Sequence, residues 1–197
     1  MYTVIGTVKS RTLRVIWMLE ELGQPYDHIP AGPRSEDALR HNPSGKIPAL
    51  LVDGQAITDS VAIMTFLADR HGALTFPAGT LERARQDAFT QLINDEFDAP
   101  LWMAGRHSFV LPEEMRLPAI KESLRWEFDR SATRLGEVLG DKPFLTGETM
   151  TIPDLLLAHC MRWAGNANFP VTDARVIAHR DRMLARPAFA RALARQA

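Results

Sequence analysis

Three short segments of this 197-residue chain carry residue types whose spacing suits chemistry. The first is Thr7-Val8-Lys9-Ser10-Arg11-Thr12. Hydroxyl donors, positive charge and the start of a helix lower the pKa of a nearby thiol. Half-ionising a free thiol, whose pKa is about 8.5, at neutral pH takes about 2 kcal/mol. One charge-assisted hydrogen bond plus a helix dipole is of that size. Ser10 also suits a plain N-cap. The second segment, Thr58-Asp59-Ser60, opens a helix. Free N–H groups and the Ser60 hydroxyl there accept a carboxylate, and Asp59 accepts an ammonium, so the pair suits the α-amino and α-carboxylate groups of a free amino acid. Simple capping is the competing reading. The third is Asn42-Pro-Ser-Gly-Lys-Ile-Pro-Ala-Leu-Leu-Val52. A proline entering a strand after Ile47 is a candidate cis peptide. In that geometry the Ile47 N–H and C=O turn outward and can pair with an extended peptide as an added strand. A trans Pro48 on an edge strand is the alternative.

These segments need elements to hold them. Tyr2–Gly6 reads as a buried strand and Arg11–Leu22 as a helix closed by Gly23 and Pro25. Tyr26–Pro30 reads as a second strand, and Ser35–His41 as a short helix capped by Ser35. Pro48–Val52 and Gln55–Thr58 flank Asp53-Gly54 as a hairpin. A helix follows from Asp59 or Ser60, with Ser60, Ile63, Met64 and Leu67 as its inward set. Strand–helix–strand, then hairpin and helix, implies a small mixed sheet covered by helices. Residues 72–81, with two glycines and a proline, read as a linker.

Beyond the linker only helices are expected: Glu82–His107 with a kink or break at Pro100, Pro112–Leu139, Thr151–Ala164, Asp173–Ala185 and Pro187–Arg195. The chain thus divides into an α/β domain over 1–77 and an all-helical domain over 82–197.

Composition narrows the function. Hydrophobic residues make up 46% and charged residues 24%, and the net charge of −1 gives no general field for nucleic acid or an anionic membrane. A single cysteine, Cys160, excludes an intrachain disulfide and a cysteine-rich metal site, and it reads as a buried apolar group. The histidines at 28, 41, 71, 107, 159 and 179 have no metal-ligand spacing. Apolar runs are too short for a membrane span or a signal segment, so a cytoplasmic protein is expected.

In combination the motifs resemble the glutathione S-transferase family. The first unit, running into Arg14-Val-Ile-Trp-Met-Leu-Glu-Glu-Leu-Gly-Gln-Pro-Tyr26, is similar to its opening. So are Asn42-Pro-Ser-Gly-Lys-Ile-Pro-Ala-Leu50 and Thr58-Asp-Ser-Val-Ala-Ile63. Phe144-Leu-Thr-Gly-Glu-Thr-Met-Thr-Ile-Pro-Asp154 resembles the family's N-cap box and hydrophobic staple, and Thr151 to Asp154 has the capping-box spacing. The resemblance implies a thioredoxin-like domain with a cis Pro48, then the helical bundle, as a homodimer. It implies glutathione as co-substrate, with no metal: Ile47 pairs with the cysteinyl unit, Lys46 reaches a carboxylate, and Asp59 and Ser60 hold the γ-glutamyl end.

The thiol contact departs from the commoner patterns. Counting back from Arg14, the serine position of many members is Lys9 here, and the position of cysteine-type members is Arg11. The Ser-Arg-Thr-Leu-Arg run resembles a Ser-Arg-Ser-x-Arg variant of bacterial members, which makes Ser10 the expected donor, Thr12 the second and Arg11 an electrostatic helper. The electrophile pocket is expected between the domains, from Trp102, Met103, Arg106, His107 and Phe109, with Trp163 and Phe169 further on. Trp102, Arg106 and Phe109 share a face if the helix is regular. The expected function is detoxifying glutathione transfer to a hydrophobic electrophile. A glutathione-dependent peroxidase or disulfide reductase, and a non-catalytic transferase-like interaction module, are the alternatives.

Overall fold

The computed structural model of the chain describes residues 1–195. They gather into two compact units, Met1–Thr75 together with the described residues from Leu184 onward, and Phe76–Met183.

In the first unit, β1 (Tyr2–Ile5), β2 (Tyr26–Ile29), β3 (Ala49–Val52) and β4 (Gln55–Thr58) form one sheet in the order β2-β1-β3-β4. β1 pairs parallel with β2 and antiparallel with β3, and β3 pairs antiparallel with β4 through the Asp53-Gly54 turn. This is the βαβ unit plus hairpin and helix that the element order implied. On one sheet face Ile5, Ala31 and Ala49 form a buried cluster flanked by Ile29 and Leu51. Helices α1 (Thr12–Leu22) and α3 (Ser60–His71) pack against each other and on the sheet, and the short α2 (Glu36–His41) begins at Ser35, whose hydroxyl accepts from Ala38 N at 3.3 Å. The expected inward set of α3, Ser60, Ile63, Met64 and Leu67, is buried.

In the second unit, α4 (Leu81–Ile93), α5 (Ala99–Gly105), α6 (Ile120–Leu139), α7 (Ile152–Asn166) and α8 (Ala174–Leu184) follow in order, the last residue of α8 grouping with the first unit. The expected kink at Pro100 takes a particular form. Residues Asn94–Asp98 and Arg106–Val110 are π-helical turns on either side of α5, with Pro100 in the first turn of α5. A π turn widens the ladder by one residue. The missing Pro N–H is thus absorbed without ending the helix. Helix α6 starts at Ile120 rather than near Pro112, because Pro118 disfavours helical geometry at Leu117. A short 3₁₀ turn over Glu113–Met115 fills part of the gap.

The box at α7 is formed. Asp154 accepts from Thr151 N at 2.8 Å and from Leu145 N at 2.8 Å, and His179 Nε2 lies 3.0 Å from Asp154 Oδ1 with both side chains fully buried. The partnership with His179, 25 residues away, has no local sequence signal.

Helix α9 (Pro187–Ala194) does not join this bundle; it packs on α1. Phe189 meets Trp17 edge to face with centroids 4.8 Å apart. Arg186 grips Glu21 through Nε–Oε1 at 2.6 Å and Nη2–Oε2 at 2.8 Å, and Arg191 Nε reaches Glu20 Oε2 at 2.7 Å. Two expected residues of the 82–197 helical domain, Gln196 and Ala197, lie outside the described residues. Burial pushes the Glu20 carboxyl up, but hydrogen bonds from Arg191 and Tyr26 and the charges of Arg191 and Arg195 outweigh it and hold the group below its ordinary value. Tyr26 is pushed up, by burial first and then by its bond to Glu20.

Phe189→Ala is expected to cost about 3–5 kcal/mol, since a buried aromatic is removed from its partner, and urea unfolding followed by tryptophan fluorescence measures it. A carboxyl with a depressed pKa stabilises above its unfolded value and loses that contribution as pH falls through its folded value. Stability is therefore expected to hold above about pH 4.5 and drop below it more steeply than in Glu20→Gln, as read from unfolding midpoints against pH.

Candidate active site

The thiol-directed segment forms the turn between β1 and α1. Helix α1 starts at Thr12 with Arg11 in the cap position, making no side-chain capping bond. The Ser10 hydroxyl donates to Thr7 O at 2.7 Å, accepts from Thr12 N at 3.1 Å and lies 2.9 Å from Thr12 Oγ1. Thr7 O also accepts from Ser10 N at 3.0 Å. If the Ser10 hydroxyl turned toward a ligand, that carbonyl would still be satisfied. Ser10 is half-buried, whereas Thr12 is 0% exposed. Thr12 therefore backs Ser10 from the buried side. Lys9 is exposed, its N–H donating to Thr7 Oγ1 at 3.4 Å, and Arg11 is half-buried.

The Ile47–Pro48 peptide is cis, and Ile47 precedes the ladder, which begins at Ala49. The turn before it is knitted by its own polar groups. Asn42 Nδ2 donates to Lys46 O at 2.9 Å, Ser44 Oγ to Asn42 Oδ1 at 2.8 Å, and Lys46 N to Ser44 Oγ at 3.3 Å. The Lys46 side chain is exposed and in no ion pair among the described residues. At α3, Asp59 Oδ1 accepts from Val61 N at 2.9 Å and from Ala62 N at 3.1 Å, which leaves Oδ2 outside the cap. Asp59 holds a positive φ of 72°, a sparsely populated region for a residue with a side chain. Capping therefore uses one oxygen of this carboxylate and leaves the other able to meet a cation.

Two positioning residues escaped the sequence reading. Gly6, at φ 140°, has no room for a side chain: a Cβ there would collide with Thr12 Oγ1 and lie 3.1 Å from the Ile47 Cβ. This close approach brings the hydroxyl turn and the cis-proline turn together. Arg14, 1% exposed, donates through Nη1 to Ser60 Oγ at 3.3 Å, with Ser60 itself 3% exposed. It ties the start of α1 to the start of α3. A lone arginine inside Leu13-Arg-Val-Ile-Trp17 was the available signal.

The second unit holds a pocket of about 230 Å³. Of the expected electrophile residues Phe109 lines it, as do Trp163 and Phe169, while Trp102, Met103, Arg106 and His107 do not. The π turn at Arg106–Val110 shifts the register that a regular helix would have given Trp102, Arg106 and Phe109. His107 Nδ1 instead accepts from Leu117 N at 3.0 Å. No cluster of His, Cys, Asp or Glu suited to a metal occurs among the described residues, and none of their helices is long and apolar enough to cross a membrane.

Comparison with known proteins shows what the chain resembles. The family model described as "Glutathione S-transferase, N-terminal domain" matches residues 10–70. Glutathione S-transferase GstA of Escherichia coli O157:H7 is 30% identical over 135 residues, a match covering 66% of this chain and 62% of that protein. The chain thus spans somewhat less than two thirds of that relative's length. A glutathione transferase from Methylococcus capsulatus superposes with a TM-score of 0.86 at 24% identity, covering 100% of this chain and 98% of its own. Glutathione transferase URE2P6 of Phanerochaete chrysosporium, solved with oxidized glutathione, superposes with a TM-score of 0.85 at 23% identity over 99% of this chain and 96% of that one. Residues 10–70 thus match the N-terminal domain of glutathione S-transferases, and the fold is that of these enzymes, a thioredoxin-like βαβαββα unit followed by a helical one.

Gly6→Ala is expected to push Thr12 and Ile47 apart and to weaken glutathione binding at least about tenfold, against little change for Gly165→Ala, where a Cβ meets open space on an ordinary helical backbone. Isothermal calorimetry on both variants measures the difference.

Proposed function

We propose that this chain is a glutathione transferase, binding glutathione in its first unit and using the tripeptide's thiolate to attack an electrophilic carbon of a hydrophobic molecule. The sulfur–carbon bond forms as the leaving group departs with its electron pair, and the thiol proton passes to solvent. In this reading the Ile47 N–H and C=O pair with the cysteinyl backbone, Lys46 meets a carboxylate, and Asp59 Oδ2 and Ser60 hold the γ-glutamyl amino acid end. No metal takes part. The homodimer and cytoplasmic setting expected from the resemblance belong to the same proposal.

Ser10 is the proposed donor to sulfur. The observation that carries this role is its hydrogen-bond pattern. Its oxygen accepts from the Thr12 amide, and its proton rests on a Thr7 carbonyl that keeps a second donor. Releasing that proton to a thiolate therefore strands no buried acceptor, and the bonds accepted from Thr12 make the hydroxyl a stronger donor. Thr12 acts behind it, and Arg11 adds positive charge at the start of α1. The protein stabilises the thiolate and positions it, without a covalent intermediate.

Ultraviolet difference titration of bound glutathione against pH tests this. Thiolate absorbance is expected near neutral pH in the wild type, with its midpoint raised by about one unit in Ser10→Ala, the worth of one charge-assisted hydrogen bond. An unchanged midpoint moves the donor role to Thr12 or Arg11. Absence of saturable glutathione binding at millimolar concentration favours the interaction module.

A further inference from the structure

We propose that the pocket of the second unit is a binding site for a small aromatic anion, a benzoate- or naphthoate-like molecule, whose charged group is met by Lys121 and Arg125. The inference is independent of the glutathione reading, because its residues and its test concern this unit alone.

Lys121 and Arg125 stand one helical turn apart on α6, and both line the pocket. Like charges at this spacing on one face repel. Several arginines elsewhere in the chain are answered by acids: Arg83 by Asp87, Arg134 by Glu96, Arg175 by Asp173, Arg186 by Glu21 and Arg191 by Glu20. No ion pair involves Lys121 or Arg125 among the described residues, and no Asp or Glu lines the pocket. Arg125 is held by packing instead. Its Cζ lies 5.7 Å from the centroid of the Phe169 ring, and its buried Nε has no hydrogen-bond partner. A guanidinium fixed by an aromatic face, and in no ion pair among the described residues, is organised for an anion that arrives from outside.

The remaining walls fix the rest of the ligand. Phe109 and Trp163 offer flat apolar surfaces, with the buried Phe169 at the wall that Arg125 covers. The Ser108 hydroxyl is spent on Ala104 O at 2.7 Å, so Lys121, Arg125 and the neutral amide of Asn166 supply the polar character, and only the two cations carry charge. A volume of about 230 Å³ is below the roughly 300–1,000 Å³ of drug-sized sites, which limits the ligand to one ring or two fused rings.

Calorimetry without glutathione tests this on the whole chain, using benzoate and 2-naphthoate against their neutral isosteres benzamide and 2-naphthamide. Saturable binding of the carboxylates is expected, with the amides at least about tenfold weaker. Lys121→Met and Arg125→Met are each expected to weaken carboxylate binding about tenfold and to leave amide binding unchanged. Should Arg125→Met fail to fold by circular dichroism, Lys121→Met and the ionic-strength dependence of wild-type binding decide: affinity must fall as salt rises. Equal binding of acid and amide, carboxylate binding insensitive to Lys121→Met and to salt, or no carboxylate binding up to about 10 mM overturns the proposal.

Discussion

The first unit depends on an empty volume. Gly6 ends β1 with no side chain, and the space it leaves is occupied by Thr12 Oγ1 on one side and approached by Ile47 on the other. Three stretches distant in sequence meet there: the end of a central strand, the first turn of α1 and the cis-proline turn. Packing interiors are dense enough that one added methyl group at such a point cannot be absorbed without displacing something. The hydroxyl of Ser10 is placed by Thr12, and Thr12 is placed by the absence of a Cβ at Gly6. Arg14 extends the same arrangement to α3 through Ser60. The groups proposed to meet glutathione therefore sit in turns and at a helix start, while their positions are set from the buried side.

Much of this was legible in the residues themselves. Alternating strand and helix signals, Asp53-Gly54 and the spacing of Ser60, Ile63, Met64 and Leu67 are local patterns, and local patterns report local structure. The cis peptide before Pro48 and the Thr151–Asp154 box were likewise visible as motifs. What escaped was tertiary. Nothing near Gly6 in sequence indicates that Thr12 and Ile47 will crowd it. A lone Arg14 among apolar residues signals something, but not that its partner is Ser60. His179 joins Asp154 without any spacing that could announce it.

The pocket of the second unit fails to follow from sequence for a different reason. Helical spacing counts 3.6 residues per turn, and the π turn at Arg106–Val110 departs from that count beside the pocket. Lys121 and Arg125 do obey helical spacing, but two cations on a helix ordinarily mean a solvated face. Only the missing counter-charges and the aromatic walls distinguish them, and those are properties of the folded unit.

The packing of α9 on α1 has a consequence for biosynthesis. Glu21 and Arg186 lie 165 residues apart, and the whole helical unit is threaded between them. On a ribosome the strands and the helices α1 to α3 emerge early, yet the Trp17 edge they present stays uncovered until the stretch carrying Phe189 has left the exit tunnel. The helical unit, though encoded later, can complete its internal contacts first. Order of emergence and order of completion are reversed, and the unit that carries the hydroxyl turn waits longest with apolar surface exposed. A nascent chain stalled before Pro187 would thus present its incomplete half at the front, where chaperones meet it first.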